Sequence, residues 1–488
     1  MKEELKLTEE EIERLLKEKT EIWETMQAKN AEEYYYNEIF PLVVDKFRLS
    51  ISDEIQGKYE NLILSLGMSF EPLVLTITAL KPKRVLFLYT EDSLKNLDEV
   101  IKWTNLLPSQ YTAEEIVKDD PVDIYRVLKK VYVDRWGCPD KTAIDFTGGT
   151  KSMSAGIAMA GAYFKIDLVY VASDYNNKMR KPKPGTEKLK FVEDPYHVFG
   201  DLEKDKAIAL FNKNEFVSAY NIFSDLEDRV ADRDYTFYKL LSNIYRLWDC
   251  LFFDECIREF EKLFNTMKAW KYVEKDLAAY KYYDTLFNQY KLIKPLESVN
   301  LNDKNEEWKY ITNKDLYTPI IFSIYTNALR RSDEGKYDVA ILLLYRILEL
   351  MAQVRLAKYG FNVSSPDYSF FSVGEQELLS RMNENIKSFK NFKTYTELPQ
   401  NSMALFDAYV LIKAIEDELM EGINIGLIYS NVQLRNKSIF AHGFGMLSNK
   451  DFDKFHETVK RIFTRFCGIE GIDFESVCND YKFIKLKE

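Results

Sequence analysis

The residues best equipped for chemistry lie in a short polar run, RNKSIFAH at 435–442, with Gly443 directly behind it. Arg435 and His442 are seven residues apart, and at about 100° per residue an α-helix returns them to nearly the same face. The spacing predicts a helix that presents a guanidinium and an imidazole together, capped at its start by Ser430 or Asn431 and ended by Gly443 to Gly445. A guanidinium stays charged at any physiological pH and grips a phosphate at two points. An imidazole changes protonation near neutrality and can pass a proton to or from a sugar oxygen. The pair suits phosphodiester chemistry on RNA, whose 2′-hydroxyl is its own nucleophile, so no metal is expected. An arginine also falls near a histidine by chance, as a surface Arg and a helix-terminal His facing the last carbonyls. Two features favour chemistry. The chain has three histidines, His197, His442 and His456, of which His442 lies in this run, and a second motif stands far upstream.

That motif starts at Asn61. NLILSLGMSF is a short apolar run ending in Gly67, Met68 and Ser69, followed by EPLVLTITALKP as a helix and RVLFLYT as a strand. The pattern recurs over 141–172: KTAIDFT as a strand, a tight turn holding Gly148, Gly149, Thr150 and Lys151, the small-residue helix SAGIAMAGAYF, and the strand DLVYVAS. Two βαβ units put both turns at the carboxyl edge of one parallel sheet. Backbone N–H groups at a helix start favour anions, and Lys151 adds a full positive charge, so a phosphorylated ligand is expected. Thr150 separates Gly149 from Lys151, and no glycine stands at the Walker A distance upstream, so hydrolysis in the P-loop style is not expected; nor is the turn GxGxxG. The alternative is a glycine turn that only lets the helix pack. Downstream, NNKMRKPKPGTEKLKF sets Lys178, Arg180, Lys181, Lys183, Lys188 and Lys190 against Glu187. It reads as a loop or hairpin, solvated or serving as a lid over an anion.

The elements that must position these residues follow from length and composition. At 488 residues the chain exceeds one core, and two to four domains are expected. Thirty-two Tyr and 32 Phe against 18 Gly and 13 Pro favour helix-rich, tightly packed domains. No apolar run approaches the roughly 20 residues of a membrane span, and the charged first residues resemble neither a secretory nor a transit segment; a cytoplasmic protein without membrane contact is expected. Five cysteines without a CxxC pair argue for reduced thiols and against a disulfide framework or zinc site. A net charge of −11 has the wrong sign for coating nucleic acid, so any RNA contact must be local, and no DNA partner is expected.

Residues 1–57 read as helix without chemistry, and 58–199 as a doubly wound α/β domain. A composition shift near Gly200 opens a helical linker over 200–312, similar to tetratricopeptide hairpins but without a strict 34-residue period. Residues 313–488 form an α-bundle. In it Arg346, Glu349 and Gln353 make a polar stripe that could orient Arg435 or His442, or equally be an ordinary solvent face. The fold class expected is an α/β Rossmann-like N-terminal domain followed by an all-α linker and an all-α bundle.

DFTGGTKSM together with SLGMSFEP resembles the CARF domain, a Rossmann-like sensor of cyclic oligoadenylate. YDVAILLLYRILELMAQ with LRNKSIFAHG resembles the HEPN ribonuclease domain, whose hallmark is Arg, four to six residues, then His. In this order, with a helical linker between, they resemble the Csm-type CARF-HEPN ancillary ribonucleases of type III CRISPR immunity, leaving residues 1–57 as an unexplained helical extension. The resemblance implies a CARF sensor at 58–199, a linker at 200–312 and a HEPN domain at 313–488. It assigns Arg435 to phosphate and transition-state charge, His442 to proton transfer and Asn436 to an auxiliary polar role. It further implies a homodimer with one composite site, a single-stranded RNA substrate and a 2′,3′-cyclic phosphate product. No cofactor is implied, only a cyclic tetra- or hexa-adenylate activator held on the dimer axis by Gly67, Met68, Ser69, Gly148, Gly149, Thr150 and Lys151. A ligand with rotational symmetry suits a two-fold interface. Two rival readings are a sensing module whose helical C-terminal domain only dimerises or binds a partner, and a sensor that also cuts its own activator, with Thr150 or Ser69 positioning a ribose hydroxyl.

Overall fold

The computed structural model describes residues 7–193, 198–230, 232–271, 277–297, 306–389 and 393–487. His197 lies outside the described residues. The chain divides into two compact units, residues 1–200 and 201–488.

The first unit is built on a six-stranded sheet. Its strands are β1 (Asn61–Ser65), β2 (Arg84–Tyr89), β3 (Tyr111–Glu115), β4 (Thr142–Asp145), β5 (Asp167–Ala172) and β8 (Lys188–Val192), in the order β3-β2-β1-β4-β5-β8. β1 to β5 are mutually parallel, and β8 is antiparallel to β5. Alternation along each strand decides which core a side chain joins. Leu62, Leu64, Val85 and Phe87 enter one core, while Ile63, Leu86, Leu88 and Ile144 enter the core on the opposite face. Helices α4 (Glu71–Leu80) and α5 (Leu97–Thr104) cover the first face, and α6 (Pro121–Lys129) and α7 (Lys151–Phe164) the second. The N-terminal helices α1 (Glu9–Trp23), α2 (Ala28–Tyr34) and α3 (Phe40–Leu49) join the first face, because Ile12, Leu16, Trp23, Phe40 and Phe47 share a core with Leu62 and Val74.

The basic segment downstream of β5 divides. Tyr175–Asn176 (β6) and Lys181–Pro182 (β7) form a small hairpin, while Lys188 and Lys190 belong to the edge strand β8. Lys181 is not free for a ligand: its Nζ donates to Glu71 Oε1 (2.7 Å) and to Tyr36 (2.9 Å). The lysines of β8 suit an exposed edge, where charge discourages pairing with another strand.

The second unit is helical and has one continuous core. Helices Asp201–Asn212, Phe216–Arg229, Arg233–Asp249, Phe253–Trp270 and Tyr283–Ile293 precede Lys314–Asp333, Tyr337–Ala357, Glu375–Ile386, Leu405–Ala414, Ile425–Asn436 and Asn449–Ile469. The C-terminal tail ties the earlier group to the later one. The Phe483 ring stacks on Tyr245 with centroids 4.0 Å apart, and Gln289 Nε2 donates to the Lys482 carbonyl (2.8 Å). Among the described residues, no helix is long and apolar enough to cross a membrane.

Candidate functional sites

The two glycine turns, some 80 residues apart in sequence, meet at the carboxyl edge of the sheet. A Cβ on Gly67 would stand 2.3 Å from Gly149 N, and one on Gly148 would stand 2.1 Å from Ser65 O. Only glycine lets the two backbones approach this closely. Ser65 Oγ donates to Gly148 O (2.6 Å), and Asn96 Nδ2 donates to Gly67 O (2.8 Å), so each turn is also held by a side chain. Beneath them Asp145 accepts from Thr147 N (2.8 Å), Thr147 Oγ1 (2.5 Å) and Thr76 Oγ1 (2.5 Å). Burial pushes the Asp145 carboxyl above its ordinary range, against the pull of those hydrogen bonds.

The turns open into a cavity of about 240 Å³. Gly67, Met68, Ser69, Gly148, Gly149 and Thr150 line it, as the sequence placed them. Lys151 does not; it is the first residue of α7 and is exposed. Lys118 does line the cavity, but it is paired there at 3.0 Å with Asp92, which offsets its charge. Lys118 follows β3, in a segment where no glycine or motif flags a ligand contact. Thr150 is partly committed already: its Oγ1 donates to Asp119 (2.9 Å) and accepts from Met153 N (3.2 Å) as the cap of α7.

The RNKSIFAH run takes a different shape from the one expected. The helix Ile425–Asn436 begins at Asn424, whose side chain accepts from Gly426 N (2.8 Å), and it ends just past Arg435. Neither Ser430 nor Asn431 is a cap; both are interior, and Ser430 Oγ donates back to Gly426 O (2.8 Å). His442 therefore sits in a loop and not on the helix face that carries Arg435. The loop folds back against the helix end. Ala441 N and Gly443 N donate to Ser438 O (3.0 and 3.2 Å), Gly445 N donates to Lys437 O (2.9 Å), and Ile439 N donates to Gly445 O (2.9 Å). A Cβ on Gly443 would lie 2.1 Å from Lys437 O, so the glycines permit a close return where the sequence reading had them stop a helix. The return brings exposed His442 to the end of the helix that carries Arg435.

The Arg435 guanidinium lies over the Tyr345 ring, 4.5 Å from its centroid, and donates to Asn436 Oδ1 (3.2 Å). A cation over an aromatic face is held by about 1 kcal/mol or more while its edge stays open for an anion. Arg435 Nε, and Asn431 Nδ2 one turn earlier, are buried without a hydrogen-bond partner among the described residues. The polar stripe, for which orienting Arg435 or His442 and facing solvent are equally open readings of the sequence, makes its own pairs. Arg346 pairs with Glu349 (3.1 Å), and Gln353 Nε2 reaches Glu307 (3.4 Å). Tyr345, between Leu344 and Arg346 in the sequence, is the residue that supports Arg435. Asn436 is placed to hold the guanidinium. Among the described residues, no three His, Cys, Asp or Glu groups form a metal-binding cluster.

Comparison with known proteins adds to this geometry. The family model described as the Csm6 HEPN domain matches residues 310–465, and that described as the Csm6 6H domain matches 199–282. The chain is 28% identical over 406 residues to the CRISPR system endoribonuclease Csm6 of Thermus thermophilus, covering 79% of this chain and 81% of that protein. Among solved structures, Enterococcus italicus Csm6 bound to cyclic hexa-2′-fluoro-hexa-dAMP aligns over 84% of this chain and 94% of that one, at 13% identity and a TM-score of 0.48. Can2 of Sulfobacillus thermosulfidooxidans in complex with cyclic tetra-adenylate aligns over 39% and 52%, at 13% identity and a TM-score of 0.22.

Proposed function

We propose that the chain is a Csm6-type protein, as its matches to the Csm6 HEPN and 6H domains and to a Csm6 endoribonuclease support, and that it is a metal-independent, single-strand endoribonuclease switched on by cyclic oligoadenylate in type III CRISPR defence, acting as a cytoplasmic homodimer. The observation that carries the reading is the end of the helix Ile425–Asn436. There a cation lies on an aromatic ring and a glycine loop returns an exposed imidazole to the same end. Arg435 grips the scissile phosphate and offsets the charge that builds on its oxygens. His442 moves protons: the 2′-oxygen loses its proton as it attacks phosphorus, the 5′-oxygen leaves with one, and a 2′,3′-cyclic phosphate remains. The buried donors Arg435 Nε and Asn431 Nδ2 cost about 1 to 3 kcal/mol each while unpaired. An acceptor that arrives with RNA or with a second protomer would relieve that cost.

In the first unit, the backbone of the abutting turns suits the phosphates of an adenylate ring. A ring shared by two copies can shift the packing of the nuclease domains by no more than its difference in affinity for the two arrangements. The test is RNA cleavage in EDTA with and without the ring. His442→Ala should lower cleavage by roughly 10²- to 10⁴-fold and leave ring binding intact. Undiminished cleavage by a pure variant overturns the assignment.

A further inference from the structure

The loop that carries His442 is held at both ends by one carboxylate a hundred residues away in the chain. Asp338 stands in the first turn of the helix Tyr337–Ala357. Its Oδ1 accepts from Ser438 Oγ (2.6 Å), and its Oδ2 accepts from Leu447 N (3.2 Å). Between those points lie the exposed Ile439, Phe440, His442, Phe444 and Met446. Ser438 is buried and is the hub of the loop. Its carbonyl takes the N–H groups of Ala441 and Gly443, the residues on either side of His442, and its Oγ accepts from Phe440 N (3.1 Å). Whatever fixes Ser438 fixes the backbone that aims the imidazole.

Asp338 and Tyr345 are seven residues apart on one helix, and so share a face. The same rigid element therefore meets both proposed catalytic groups: Asp338 through the loop of His442, and Tyr345 under the guanidinium of Arg435. We propose that Asp338 is a positioning residue for RNA cleavage, clamping the 438–447 loop so that His442 keeps a fixed place relative to Arg435. The proposal rests on the ribonuclease reading above. It gives a loop residue the precision of a helix, which a reaction sensitive to misplacements of about 1 Å requires.

The experiment measures kcat and KM for cleavage of a labelled single-stranded RNA by the full-length, ring-activated protein. Asp338→Ala, Asp338→Asn, Ser438→Ala and the double variant Asp338→Ala/Ser438→Ala are compared with wild type and with His442→Ala. Asp338→Ala and Ser438→Ala should each lower kcat by roughly 10- to 100-fold with KM within about twofold, since the clamp aims a group and does not bind RNA. Asp338→Asn, which keeps one acceptor oxygen, should fall between Asp338→Ala and wild type. The double variant should be no slower than the slower single, because both remove the same restraint. Melting temperature and ring binding identify which variants are folded; should Asp338→Ala fail to fold, Ser438→Ala and Asp338→Asn carry the test. Wild-type kcat in the folded clamp variants, or multiplicative losses in the double, overturns the clamp. If His442→Ala is inactive while the clamp variants are fully active, the clamp alone falls. If His442→Ala cleaves like wild type, the ribonuclease assignment falls with it.

Discussion

His442 and His456 show two uses of one side chain. His456 is half-buried: its ring stacks on Phe452 with centroids 5.4 Å apart, and its Nε2 meets the Tyr325 hydroxyl at 2.8 Å. Burial, with help from Lys460 and against Asp453, holds its pKa below the usual 6.5. The folded state thus favours the neutral ring. The unfolded chain takes up the proton first, so this contribution is complete above about pH 6.5 and is lost as pH falls through the folded value. Between about pH 7.5 and about pH 5.5, wild type should lose more melting temperature than His456→Phe, as read by a thermal-shift titration. Parallel slopes would remove His456 as the cause. His442 has none of this packing. It is exposed in a loop of close backbone contacts, where a group that must reach substrate has to be.

At the scale of elements, local pattern was a good guide where each element answered to its own periodicity, and a poor one where a distant residue intervened. The two βαβ units were legible because short apolar runs, glycine turns and small-residue runs set strand, turn and helix locally. The helix over 435–442 was not. Seven-residue spacing places Arg435 and His442 on one face only if the helix continues, and the backbone of 437–445 is instead spent on a returning loop tied to Asp338. Nothing within that window reports a carboxylate a hundred residues upstream. The basic segment reads in the sequence only as a loop or hairpin for a related reason, since the edge strand β8 is set by its pairing with β5. The contact between the turns makes its own prediction. Gly67→Ala puts a methyl 2.3 Å from Gly149 N and must push the two turns apart. Adenylate-ring affinity, followed by calorimetry, should drop at least roughly tenfold, as expected for about 1.4 kcal/mol of strain. Unchanged affinity would show that the ring does not use this junction.

For the whole molecule, the loop around His442 exposes more apolar surface than a solitary chain needs. Phe444 is 95% exposed and Met446 85%, with Ile439 and Phe440 more than half exposed. The proposed homodimer would bury them at the same place where it brings two imidazoles together. Phe444→Glu combined with Met446→Glu should therefore lower the mass measured by light scattering toward that of a single chain, and lower RNA cleavage with it. A variant that stays dimeric and active would move the interface elsewhere.

By itself the sequence determined the order of an α/β unit before a helical one, the glycine turns and the residue types of the proposed nuclease site, because composition, apolar runs and motif spacing are written along the chain. The tertiary structure decided how those residues are held. Lys118 paired with Asp92 at the cavity, Tyr345 under Arg435, and Asp338 on the loop of His442 each join segments far apart in sequence. Such pairings depend on where packed helices and strands bring side chains in space, and local propensity carries no record of that distance.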